Sequence, residues 1–158
     1  MQIQILCVGR IKDSYLNEGI AEFMKRLRPY ATVFVTELSE VRVPERVSIS
    51  AEMQIKKREC EKILAKIKPG FLTIALDPHA PLIASEEIAT LLGKVELLGR
   101  NVCFIIGGAL GLSSMILAAA DWKMSFSRLT FTHTMIRLIL CEQIYRGFRI
   151  LRGEPYHK

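Results

Sequence analysis

The stretch Val102-Cys103-Phe104-Ile105-Ile106-Gly107-Gly108-Ala109-Leu110-Gly111-Leu112-Ser113-Ser114-Met115-Ile116-Leu117-Ala118-Ala119-Ala120 decides how the rest of this chain is read. Its first five residues are apolar and mostly β-branched or aromatic, the pattern of a strand buried on both faces. Three glycines then break it, and Ser113 or Ser114 can cap a helix whose first turns are Met115 to Ala120. The unit is strand, glycine loop, helix. Glycine frees the backbone to take φ > 0 and lets a ligand approach with no Cβ in the way. No residue from Asn101 to Ala120 is charged, which raises a membrane helix. Three glycines and a Ser-Ser pair suit a loop better, so no membrane partner is expected.

Outward from that stretch, strands alternate with helices. Gln2 to Val8 reads as a first strand and not as a signal peptide, because no basic region precedes a long apolar run. Asp13 or Ser14 starts a helix that Pro29 stops, with Ile20, Phe23, Met24 and Leu27 as its apolar stripe. Thr32 to Leu38 is a strand, and Ser39 to Ser48 a polar loop. Ala51 to Lys68 is a charged helix with a stripe at Met53, Cys60, Leu64 and Ile67. Phe71 to Leu76 is a third strand, and Ser85 caps a helix reaching about Leu98. Trp122 to Phe126 is a short fifth strand. Thr134 can cap a last helix, Met135 to about Leu151. This alternation predicts an α/β fold, a mostly parallel sheet with helices on both faces, over residues 1–158 as one domain. The last helix has little polar face; its surplus of apolar side chains points to a dimer contact through it.

Half of the 158 residues are hydrophobic, and the net charge is +6. Mean hydropathy is +0.24 and the isoelectric point about 9.3. A basic balance is compatible with a nucleic-acid partner and equally with a solvated cationic face. Cys7, Cys60, Cys103 and Cys141 are far apart, with no Cys-x-x-Cys, so neither a metal site nor a disulfide framework is expected. The protein reads as reduced and cytoplasmic.

A glycine loop after a parallel strand invites a nucleotide. The dinucleotide fingerprint would follow the first strand, which here leads into Val8-Gly9-Arg10, and no Gly-Lys-Ser/Thr is present. Ligands of open α/β sheets sit beyond the carboxyl ends of strands. Those ends are Leu76-Asp77, Ile106-Gly107-Gly108 and Ser125-Phe126-Ser127. Loops of backbone and small side chains suit adenine and a methionine moiety better than pyrophosphate.

The motifs Ile106-Gly107-Gly108-x-x-Gly111-Leu112 and Leu76-Asp77 carry a resemblance, with Ser125-Phe126-Ser127-x-Leu129-Thr130-Phe131-x-His133 and Arg137-x3-Cys141-Glu142-Gln143-x-Tyr145-Arg146. They look like a SPOUT-class methyltransferase. With the ending Arg152-Gly153-Glu154-Pro155-Tyr156-His157-Lys158, the whole chain resembles the ribosomal RNA large subunit methyltransferase H family. The resemblance implies a homodimer and a C-terminal trefoil knot. It implies S-adenosyl-methionine held by Leu76, Gly107, Gly108 and the loop Ser127, Arg128, Leu129, Thr130, Phe131 and Thr132. The implied product is N3-methylpseudouridine in a stem-loop of 23S rRNA in the assembled ribosome. One departure is Thr132, where the family usually has Pro.

Methyl transfer from a sulfonium to a ring nitrogen requires alignment and removal of the imide proton. Tyr156 and His157 are candidates for positioning or proton handling; Arg137 and Arg152 for stabilising charge or gripping phosphate. The plainer readings are an exposed tail for His157 and a helix-start arginine paired with an acidic neighbour for Arg137. His133 is read as shaping the cofactor loop, and His79 is given no role. Two other classes compete: a non-catalytic ribosome-binding factor with the same basic surface, and a dinucleotide-binding oxidoreductase.

Overall fold

The computed structural model describes residues 1–44 and 46–156; the candidate His157 lies outside the described residues. The elements are β1 (Gln2–Val8), α1 (Ser14–Leu27), β2 (Thr32–Leu38), α2 (Ile49–Leu64), β3 (Phe71–Leu76), α3 (Ser85–Leu97), β4 (Asn101–Ile106), α4 (Ser114–Ala119), β5 (Trp122–Met124) and α5 (Met135–Leu151). Their strands form one sheet in the order β2-β1-β4-β3-β5. Every pairing is parallel, with Ile5 beside Val35 on one side and Phe104 on the other.

Alternation along the strands sorts side chains to two faces. Ile3, Ile5 and Cys7 of β1 join Phe104, Ile106 and Ile74 under Leu27 of α1, Leu92 of α3, and Leu140, Ile144 and Phe148 of α5. Leu6, Val8, Ala75, Cys103 and Ile105 face the other way, against Cys60 and Ile63 of α2 and Ile116 of α4. Helices therefore cover both faces, as the alternation predicts. Burial pushes the thiols of Cys7, Cys103 and Cys141 up to about 12. They stay neutral and serve as small apolar groups. No described helix is long and apolar enough to cross a membrane.

Several local expectations are corrected. The buried stripe of α2 is Ile55, Glu59, Cys60 and Ile63, whereas Met53 and Leu64 are exposed. Ser48 caps that helix, its Oγ accepting from Ala51 N at 3.2 Å. Gln4, on the same face of β1 as Leu6 and Val8, is buried and donates from Nε2 to Lys66 O at 3.0 Å, tying the segment after α2 to β1. β5 stops at Met124 because Ser125 turns to the segment beyond β3, donating to Pro81 O at 2.9 Å and accepting from Ile83 N at 3.0 Å. Thr134 makes no capping bond; Thr132 Oγ1 accepts from Met135 N at 3.2 Å instead. The helix α5 packs between α1 and α3, and its Leu138, Ile139 and Ile150 stay half-buried. Leu138 crowds Gly19 of α1, and Leu151 crowds Gly93 of α3.

One side chain joins the late helix to the early strands. Arg137 is 1% exposed. Its Nη2 donates to Val8 O at 2.7 Å and Gly9 O at 3.1 Å, its Nη1 to Glu37 Oε1 at 3.0 Å, and its Nε to His133 O at 3.0 Å. The fork satisfies carbonyls at the end of β1 that the strand ladder leaves unpaired. Replacing it strands those acceptors and a carboxylate. Arg137→Met should lower unfolding free energy by about 3 kcal/mol in urea titration. An unchanged midpoint would show that the grip contributes nothing. Gly147 of α5 sits against α3, where a Cβ would lie 3.0 Å from Leu92 Cδ1 and 3.1 Å from Ile88 Cγ2. Gly147→Val should cost about 1–3 kcal/mol through overpacking, read in the same titration.

Candidate active site

Beyond the carboxyl ends of β3, β4 and β5 the chain leaves a groove of about 950 Å³. Its wall is Leu76 and Asp77 after β3, residues 106–112 after β4, and residues 124–127 after β5. The loop 129–134 closes another side before α5 begins. The volume lies within the roughly 300–1,000 Å³ typical of small-molecule sites. Much of the surface is main chain or short, uncharged side chain; the ionisable lining residues are Lys56, Asp77, His79 and His133.

Local bonds fix the loops. Gly111 N donates to Gly108 O at 3.0 Å, and Gly111 has φ +76°, a conformation that favours glycine. A Cβ on Gly107 would lie 2.7 Å from the Gly111 carbonyl carbon. One on Gly108 would lie 3.0 Å from Val8 Cγ1 and 3.4 Å from Glu59 Oε2. These two glycines let the loop fold on itself and lie against β1 and α2. Burial raises the Glu59 carboxyl above the usual range, opposed by the bond it accepts from Val41 N at 3.3 Å. On the opposite wall Ser125 Oγ donates to Ser127 O at 3.0 Å, and Ser127 Oγ accepts from Leu129 N at 2.9 Å. Leu129 and Phe131 remain exposed at the rim.

Leu76, Gly107, Gly108, Ser127, Leu129, Thr130, Phe131 and Thr132 thus come together on one groove, while Arg128 stands in the loop outside its lining. Arg137 and Tyr156 are not on it. Arg137 is occupied by main-chain carbonyls and Glu37, which matches the plainer reading of a paired helix-start arginine. Its carbonyl contact nevertheless fixes His133, which does line the groove. Lys56, whose run with Lys57 and Arg58 reads in sequence as a solvated face, and Leu117 bring α2 and α4 to the site. Only the packing of those two helices on one sheet face puts them there.

Tyr156 lies back along α5. Its hydroxyl donates to Glu142 Oε1 at 3.2 Å, and its ring meets Tyr145 edge-on at 4.9 Å with the Arg146 guanidinium 4.9 Å from its centre. Burial, then the Glu142 carboxylate, raise its phenol above the usual range. At neutral pH the group is a hydrogen-bond donor, not a ready base. Arg152 pairs with Glu96 at 2.6 Å. Among the described residues no group of three or more His, Cys, Asp or Glu could hold a metal ion.

Comparison with known proteins follows this geometry. The family model described as "Predicted SPOUT methyltransferase" matches residues 1–157. A protein of Methanocorpusculum labreanum is 57% identical over 158 residues, the whole of both chains. The ribosomal RNA large subunit methyltransferase H of Carboxydothermus hydrogenoformans is 50% identical over 159 aligned positions, and that of Bacillus pumilus 48%, each over all of both chains. Among solved structures, one titled a probable methylase family protein from Haemophilus influenzae Rd KW20 shares the fold, with TM-score 0.52 and 14% identity over 99% of this chain and 70% of that one. The chain belongs to the ribosomal RNA large subunit methyltransferase H family of SPOUT methyltransferases.

Proposed function

We propose that this protein methylates N3 of a pseudouridine in 23S rRNA, on the assembled ribosome, with S-adenosyl-methionine as donor. The observation that carries the reading is the groove at the ends of β3, β4 and β5, joined to the family of the chain. Its size, its main-chain donors and acceptors and its apolar rim fit an adenine ring and a methionine chain. Leu76, Gly107, Gly108, Ser127, Leu129, Thr130, Phe131 and Thr132 would hold that group, with Arg128 beside them. When bound, S-adenosyl-methionine supplies a methyl group already activated on a sulfonium.

The chain's own part is to align the acceptor, exclude water and manage the proton that leaves N3. Tyr156 can donate a hydrogen bond to a ring carbonyl as negative charge grows there. His157 is proposed beside it for proton handling. Arg137 acts at one remove, by holding the carbonyl of His133 at the groove wall. The net charge of +6 favours a phosphate-rich partner. Such work places the protein in the cytoplasm.

We also propose one domain over residues 1–158, closed by a C-terminal trefoil knot. In support, the loop after β5 leaves the sheet edge and returns to the end of β1 through Arg137. The working unit is a homodimer with composite sites. Neither Tyr156 nor any other described tail residue from 152 onward lines the groove of its own chain. A second copy would bring a tail to each groove.

Two measurements test this. Ala109 lines the groove and is exposed, so Ala109→Trp fills the site without disturbing the core. Wild type should bind S-adenosyl-methionine in calorimetry and transfer labelled methyl to 23S rRNA of intact ribosomes, seen by mass spectrometry on a pseudouridine. Ala109→Trp should lose both at unchanged circular dichroism. Donor binding that survives it would remove the groove as the site. The composite site is tested by refolding Ala109→Trp together with a chain ending at Pro155. Each alone should be inactive. In the mixture about half the dimers carry one chain of each kind and one intact site, restoring about a quarter of wild-type activity. No recovery would mean that each tail serves its own groove.

A further inference from the structure

The C-terminal tail is held to its own chain by a half-buried polar cluster outside the groove lining. Gly153 turns the chain at φ +67°, and Glu154 N then donates to Arg149 O at 2.8 Å. The Glu154 carboxylate is gripped twice. Tyr30 Oη donates to its Oε2, and Arg149 Nη1 pairs with the same oxygen at 2.5 Å. Arg149 Nη1 also donates to Tyr30 Oη at 3.3 Å. Tyr30 is itself fixed, its ring stacked on Phe148 with centroids 5.4 Å apart. Burial raises its phenol above the usual range, so the hydroxyl keeps its proton and stays a donor. The Arg149 Nε is buried with no partner among the described residues. A guanidinium turned to Glu154 in this way gives up one donor to hold the carboxylate. Two residues on, Tyr156 N donates to Glu154 O at 3.0 Å and its ring packs on Tyr145.

We propose that Glu154, clamped by Tyr30 and Arg149, is a positioning residue that sets where Tyr156 stands. The inference rests on the reading that the tail acts in methyl transfer. A free chain end samples many conformations, and misplacement by about 1 Å costs on the order of a hundredfold in rate. The clamp removes that freedom two residues before Tyr156. Tyr30 lies in the turn between α1 and β2, so the tail is set by the other end of the sequence.

Tyr30→Phe keeps the stack on Phe148 and removes only the hydroxyl; Glu154→Gln keeps shape and removes charge. Both variants and their double should be assayed on ribosomes with labelled donor, beside a chain ending at Pro155. Each single variant should lower kcat by roughly tenfold or more. The Kd for S-adenosyl-methionine and the Tm should stay near wild type, because the groove and the core are untouched. Amide exchange of residues 152–156 should quicken in both. The double should be little worse than the weaker single, since both changes break one clamp. Wild-type kcat in both singles, with the shortened chain inactive, would overturn the clamp and leave the catalytic tail standing. Activity in the shortened chain would overturn the tail reading and the clamp with it. A loss of kcat matched by a fall in Tm and unchanged exchange of the tail would also overturn it, as that is general destabilisation.

Discussion

The structure depends on the grip of Arg137 on the end of β1. The first helical turn after the groove loop must return from the sheet edge, where β5 lies beside β3, to the middle of the sheet. Apolar packing of α5 between α1 and α3 supplies most of the driving force but is not directional. The guanidinium fork is directional. It meets two main-chain carbonyls on β1, a carboxylate at the end of β2 and the carbonyl of His133. Those bonds fix both the rotation of α5 and the wall of the groove. An arginine used this way is unavailable to substrate, and its influence on the site passes through His133.

A groove made by loop backbones at three strand ends is a consequence of parallel pairing. All the carboxyl ends face one way, so loops of distant origin converge on one rim. The glycines allow those loops to lie tightly against each other and against β1, so main chain and short side chains share the wall with Leu76, Ile106, Leu112 and Phe126. Such a surface offers hydrogen bonds without net charge. That suits the neutral adenine ring of the proposed donor more than a pyrophosphate. Glu59, buried behind Gly108, belongs to the support of this loop and not to its open face.

The tail shows a second use of ionic groups. Arg146, Arg149 and Arg152 stand near the end of the chain. Each is engaged with a carboxylate of the same chain, Glu142, Glu154 and Glu96 respectively. They lie partly or largely in solvent, where ion pairs contribute little to stability. Their effect is geometric: they set the path of residues 152–156. The positive charge of the protein is therefore not all presented to a partner as free cations.

Local order was legible in the sequence. The bounds of β1, β2, β3 and α5 follow from apolar runs and the residues that stop them, because strand and helix periodicities are properties of neighbouring side chains. The glycine loop and the convergence of strand ends on it were legible for the same reason. What the sequence could not show are the meetings of residues far apart. Arg137 reaches Glu37, Tyr30 reaches Glu154, and Gln4 reaches the segment after α2. None has a spacing that recurs, so no pattern marks it. The true stripe of α2 and the capping of α5 by Thr132 were likewise decided by packing. Each depends on which neighbour arrives on a given face, and only the tertiary structure, which sets strand order and helix placement, determines that.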